Sequence, residues 1–221
     1  VPDNPSLDPD VPEPGDLVLP ITVAAPLHPG GRVNSFPLGL INDTRDVRLN
    51  PQAGSYSAIS FEQAGGLVGG GTSFGKLLLD HRRYLGLGGD DGVAALRLMG
   101  GASISTPPLY ESFTLGGANT LRGYEVDRWR GKNLVLANLE YRRPVTDTLT
   151  GVAFVDIGSA WGGTFDTVVP GLTIKADDQG FEPHVGAGVG LRVDTPIGAI
   201  RLDMGWGEEG SEAHFSFGQT F

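Results

Sequence analysis

The residues predict an all-β chain of about nine to ten antiparallel strands in up-and-down order, and their patterning favours a transmembrane β-barrel over a soluble β-sandwich. Three observations carry this reading. Most candidate strands run close to ten residues, longer than the usual soluble strand of about five or six. Glycine supplies 35 of 221 residues, against a usual share of about 7%, and it falls inside apolar segments. The face opposite the apolar one is rich in glycine with isolated charges. A lumen reads this way when lipid covers the other face, whereas a sandwich turns bulky polar side chains outward.

The elements follow in order. Residues 1–16, VPDNPSLDPDVPEPGD, hold five acids, five prolines and no base, the composition of a solvated tail or linker. Residues 17–27 offer one short strand interrupted by Pro20 and Pro26, so 1–34 is set apart from a barrel region at 35–221. From Ser35 the alternation predicts strands at 35–45, 54–64, 72–84, 93–104, 132–143, 150–161, 183–194, 198–206 and 213–221. In the seventh of these, Val185, Ala187, Val189, Leu191 and Val193 oppose His184, Gly186, Gly188, Gly190, Arg192 and Asp194. In the eighth, Ile200, Leu202, Met204 and Trp206 oppose Arg201, Asp203 and Gly205. In the last, Phe215, Phe217 and Phe221 are expected on one face. Two gaps interrupt the rhythm. The first, about 105–132, is too apolar to be disordered and too long to be idle. The second, about 162–182, reads as an exposed loop.

Composition excludes several classes. A formal charge of −10 lacks the basic footprint of a nucleic-acid binder. The absence of cysteine removes disulfides, thiolate metal sites and a thiol nucleophile. No apolar run approaches the roughly 20 residues of a membrane-crossing helix, a limit that does not apply to a barrel. Val1-Pro2-Asp3 lacks the basic start of a signal peptide, so the beginning reads as processed or engineered.

No catalytic motif survives inspection. Gly71-Thr72-Ser73-Phe74-Gly75 matches a nucleophile elbow in spacing, but a strand rather than a helix should follow it. Gly70 to Lys76 approaches a phosphate-binding loop, with Leu77 where a hydroxyl must hold magnesium. His28, His81, His184 and His214 show no ligand spacing, and the pairs Asp90-Asp91 and Asp177-Asp178 read as solvated loop charge rather than calcium ligands. No enzyme activity, cofactor or metal is expected. Trp129, Trp161 and Trp206 are expected near interfaces or loop bases.

Within the long gap, LGGANTLRGY (115–124) closely resembles the signature loop of the BamA superfamily of outer-membrane barrels. Further segments resemble the family in the same order: LINDTRDVRLNPQAGSYSAISFE (40–62), NLEYRRPV (138–145), FVDIGSAW (154–161), GAGVGLRVDTPIGAIRLDMGW (186–206) and FSFGQTF (215–221). The resemblance implies a loop, before the fifth strand from the C-terminus, that folds into the lumen. There Arg122, with Gly123 and Tyr124, would meet inward acids at Glu140 and Asp156. It also implies an insertion signal and a weak seam at Phe215, Phe217, Gly218 and Phe221. The implied function is insertion of outer-membrane proteins, or protein translocation, in a bacterial-type outer membrane. Lipid and a client polypeptide would be the partners, with no nucleic acid. The alternative is a structural or anchoring barrel without translocation, completed by a second copy or a partner chain. Family members usually carry soluble POTRA modules and a larger barrel. Residues 1–34 are too few for such a module, so the chain is expected to be a part of a longer protein, a short member, or one contributor to a shared barrel.

Overall fold

The computed structural model describes residues 33–66, 69–88, 92–163, 167–169, 172–174, 180–195, 198–218 and 221. The expected strand within 17–27 and both Asp-Asp pairs lie outside these. The strands are β1 (Ser35–Asp43), β2 (Gly54–Ala64), β3 (Phe74–Gly86), β4 (Val93–Ser103), β5 (Phe113–Leu115), β6 (Trp129–Gly131), β7 (Asn133–Pro144), β8 (Leu149–Trp161), β9 (Thr167–Val169), β10 (Leu172–Ile174), β11 (His184–Thr195), β12 (Gly198–Gly207) and β13 (Gly210–Phe217). Nine of them form one sheet in the order β1-β2-β3-β4-β7-β8-β11-β12-β13, and every neighbouring pair is antiparallel. This is the meander that the alternation predicts. The four short strands were not anticipated: β5 pairs with β6 inside the first gap and β9 with β10 inside the second. At three residues each they are too short to produce a readable period.

The sheet is inside out relative to a soluble protein. On β8, Val155 and Ile157 are 48% and 44% exposed while Asp156 between them is fully buried. On β12, Leu202 and Trp206 are exposed and Arg201 and Asp203 are buried. Apolar side chains left in water at this density would be unfavourable, at about 25 cal/mol per Å². Facing acyl chains they cost nothing of the kind, so the outer face is the lipid face. β1 at nine residues and β3 and β8 at thirteen bracket the strands that are long enough to cross the hydrocarbon layer, and β13 is shorter at eight. No helix among the described residues is long and apolar enough to cross a membrane.

The apolar core lies between the 105–132 segment and the inner wall. Phe113, Leu115, Leu121, Tyr124 and Trp129 pack against Leu134, Leu136 and Ala160. The segment therefore turns inward and uses its aromatic residues as packing. Trp129, expected near an interface or a loop base, opens β6 at the end of the 105–132 segment and is buried, stacked on His184 at 3.9 Å between ring centroids. Trp206 points outward.

One expectation is corrected. Phe215 and Phe217 are 63% and 68% exposed on the outer face, but Phe221 is 2% exposed and turned inward. The strand ends at Phe217. Gly218 has φ +84°, a left-handed conformation that glycine tolerates, and its N–H donates to the Ala199 carbonyl at 2.7 Å. Period-two parity stops there. The Phe221 ring packs with Tyr84 and Ala95 from the β3–β4 wall, beneath the Arg142 guanidinium at 5.3 Å.

Candidate functional site: the arginine-braced inner wall

The loop tip is built on glycine. Gly116 and Gly117 have φ +119° and +92°, and the Thr120 hydroxyl closes the turn by donating to the Gly116 carbonyl at 2.9 Å and accepting from its N–H at 3.0 Å. The turn presents Arg122 to a cross-strand row, Asn138 on β7, Asp156 on β8 and Gly186 on β11.

Arg122 fills this row. Its Nε donates to Asp156 Oδ2 and its Nη2 to Oδ1, both at 2.7 Å, and its backbone N–H adds a third bond to Oδ2 at 3.1 Å. Its Nη1 donates to Glu140 Oε1 at 2.5 Å. Asn138 Nδ2 donates to Asp156 Oδ1 at 2.8 Å and to the Thr120 carbonyl at 2.7 Å, tying wall to loop. The Phe154 ring lies 3.5 Å from the Arg122 guanidinium carbon. All three charged groups are at most 1% exposed. Charges so far from water persist only when paired and hydrogen-bonded.

The glycine-rich inner face of β11 and β12 has a direct use. A Cβ on Gly186 would collide with the Arg122 carbonyl, one on Gly205 would meet the Gly123 backbone, and one on Gly207 would strike the Tyr124 ring. The loop lies directly on main chain along a lane without side chains. Gly123 (φ +92°) is bound in return: a Cβ there would come within 2.8 Å of the Trp206 carbonyl carbon. Its N–H donates to His214 Nε2 at 3.3 Å. Tyr124 Oη donates to the Val185 carbonyl at 2.8 Å and accepts from the Glu208 N–H at 3.0 Å. Thus Arg122, Gly123, Tyr124, Glu140 and Asp156 converge at one place. Phe215, Phe217 and Gly218 lie apart from it on β13 and its end, while Phe221 reaches the same interior from another direction through Arg142, whose Nη2 donates to its main-chain oxygen at 3.2 Å.

The site extends beyond the residues expected from sequence. Arg142 Nε donates to Glu140 Oε2 at 2.8 Å. Arg192 and Arg201 both hold Asp203, at 2.5 Å and 3.0 Å, and Arg201 also reaches the Ala118 carbonyl at 2.9 Å. Alternation had put Arg192, Arg201 and Asp203 on the glycine-rich face. The signal for a role was their charge on a face otherwise stripped of side chains. At the rim, Arg128 of the loop grips Glu209 of the β12–β13 turn with bonds of 2.6 and 2.8 Å. This partner holds the Glu209 carboxyl below its ordinary pKa.

A wall that is apolar outside, charged inside and braced by an infolded arginine loop belongs to a membrane-spanning β-barrel. The Omp85 superfamily domain matches residues 32–221, and the chain belongs to that family. Among curated relatives it is 32% identical over 127 residues to outer envelope protein 80, chloroplastic, of Arabidopsis thaliana, covering 55% of this chain and 16% of that protein. It is 27% identical over 202 residues to the outer membrane protein assembly factor BamA of Nitratidesulfovibrio vulgaris, covering 81% of this chain and 24% of that one. In fold it resembles the crystal structure of BamA from Haemophilus ducreyi lacking POTRA domains 1–3. There the TM-score is 0.64 at 18% identity, over 84% of this chain and 41% of that one. The chain spans a quarter or less of these two curated relatives.

Proposed function

We propose that this chain is the barrel region of a machine that inserts or translocates other polypeptides at a bacterial-type outer membrane, by pairing a client strand with its own free edge. One observation carries the reading. Among the described residues β1 pairs only with β2 and β13 only with β12, so each outer strand presents an unpaired row of N–H and C=O groups. Such an edge inside lipid must be satisfied. Nine alternating strands leave β1 and β13 running in the same direction. A single added strand runs antiparallel to both, so one client strand satisfies both edges at once. The braced loop keeps the wall curved while the seam is open. The chain's similarity to an outer membrane protein assembly factor supports this reading. It assigns no catalytic chemistry: Ser73 directly precedes β3 rather than a helix.

The odd number of strands in the main sheet among the described residues also favours a second reading, in which the added strand belongs to a second copy or a partner chain and the barrel is an anchor. Cysteines placed at Ile41 and Phe215 distinguish the two. Disulfide adducts of a client strand at both edges, together with loss of client assembly in a folded Arg122→Ala protein, are expected. Adducts with a second copy only, and client assembly at the original level, would overturn the machine.

A further inference from the structure

The outer face is not apolar throughout. On β3 it reads Leu77, Leu79, His81, Arg83 and Leu85, so an imidazole and a guanidinium interrupt a row of leucines. Register sets His81 beside Ser57 on β2 and Ser57 beside Asn42 on β1, and it sets Arg83 beside Ser55. Polar side chains that face hydrocarbon are costly unless something answers them. The Ser57 hydroxyl and His81 Nδ1 share a hydrogen bond of 2.8 Å, which leaves Nε2 without a partner among the described residues. Arg83 is exposed and has no ion pair or hydrogen bond among the described residues. No acidic side chain shares the outer face of β1 to β4. The patch is a set of donors around one uncompensated cation, whose long stem can carry the guanidinium toward the headgroup layer.

Two apolar grooves meet at this patch. The first, of about 530 Å³, runs from His81 along Leu79, Leu98, Gly100 and Val135 to Phe181. It exists because Gly100 stands between Leu79 and Val135 in one cross-strand row, and Ala137 between Leu98 and Ile157 in the next. A Cβ on Gly100 would meet nothing within 4 Å. The second, of about 450 Å³, is lined by Leu40, Asn42, Ser57, Ile59, Leu79 and His81. Its polar residues form the row Asn42, Ser57, His81, and its apolar residues form the adjoining row Leu40, Ile59, Leu79. Both grooves therefore leave the polar row in the same direction, away from the short turns at 87–92 and 145–148. One polar head with two apolar tracks on one side of it has the shape of a diacyl lipid. Acyl chains exchange with the bilayer at little cost, since lipid tails are as apolar as leucine. The chains position such a lipid, and the headgroup decides which one stays. A phosphodiester offers the charged oxygens that a guanidinium holds best. With no carboxylate on this face, the ammonium group of a zwitterionic headgroup would find no counter-charge.

We infer that Asn42, Ser57, His81 and Arg83, with the two grooves, form a binding site for one anionic diacyl phospholipid of the leaflet on the short-turn side. The site lies beside the free β1 edge but does not depend on client pairing, so its failure leaves the proposed function standing.

Native mass spectrometry of the full-length protein in detergent micelles, titrated with dioleoyl phosphatidylglycerol or dioleoyl phosphatidylcholine, tests this. One phosphatidylglycerol per chain should be retained in preference to phosphatidylcholine, whose acyl chains are the same. Arg83→Gln should weaken that retention about tenfold or more. Gly100→Leu, which fills the first groove, should weaken it while the headgroup contacts stay in place. Both substitutions lie on the outer face and leave the inner ion pairs intact, and heat-modified gel mobility checks that both variants fold. Equal retention of the two lipids, or retention unchanged in either folded variant, overturns the site. Displacement of the lipid by inorganic phosphate at matched ionic strength would mean a free-anion site and overturns it too. So does a disulfide-linked dimer formed in membranes through a cysteine at Leu79, because a second copy would then cover the grooves.

Discussion

Arg122 gives three donors to the one carboxylate of Asp156, two from its guanidinium and one from its own backbone N–H. The side-chain pair alone would fix a charge. The backbone bond fixes the loop's path, so the same acid neutralises the arginine and sets where the chain turns.

Removing that acid should therefore loosen the loop as well as the wall. Asp156→Ala leaves Arg122 buried with Glu140 as its main partner, and breaking a buried pair in this way costs about 3–5 kcal/mol. Urea unfolding in detergent, followed by tryptophan fluorescence, should show a lowered midpoint. Proteolysis should open the chain within 105–132 before the strands are lost.

The glycine lane makes a steric prediction. Gly186→Ala drives a methyl group into the Arg122 carbonyl, an overpacking of about 1–3 kcal/mol. Gly100→Ala meets nothing within 4 Å and should leave stability unchanged. A melting experiment on the two variants side by side checks this, and equal melting temperatures would dismiss the lane.

The inward turn of the chain after β13 separates two phenylalanines. Phe221→Ala empties a buried ring site against Tyr84 and Ala95 and should cost about 3 kcal/mol. Phe217→Ala changes an outward side chain that is 68% exposed and should barely alter unfolding in detergent. Comparing heat-modified gel mobility across a temperature series reads the difference.

The Arg128–Glu209 clasp carries a pH signature. Because Arg128 lowers the Glu209 pKa, the contact contributes above the unfolded carboxyl value and is lost as pH falls through the folded one. NMR of the Glu209 carboxyl carbon should show titration below the ordinary range, near 4.3, and a return to it in Arg128→Gln. The loop rim should loosen on acidification and never on raising pH through neutrality.

Much of the fold was legible because lipid and lumen impose opposite demands on alternate residues. Val185 to Val193 declares its two faces without any partner strand, and all nine long strands could be placed from such patterns. The meeting of Arg122, Glu140 and Asp156 came from motif resemblance, since no local rule links residues 18 and 34 positions apart. Arg192, Arg201 and Asp203 lay on the right face, yet their pairing depends on the β11–β12 register, which alternation does not set. Phe221 was misplaced because one glycine with positive φ ends the parity on which that inference rests.

The contact between loop and wall is made by backbone atoms of Arg122 and Gly123 at Gly186 and Gly205, and by the Tyr124 ring at Gly207. Apart from the Tyr124 ring, such a seat carries no chemical lettering of its own, so exchanging exposed loop residues such as Val126 leaves the fit untouched. A single methyl group on the track beneath is enough to derail it. Evolutionary freedom in this molecule should accordingly be greatest in the rider and least in the rail.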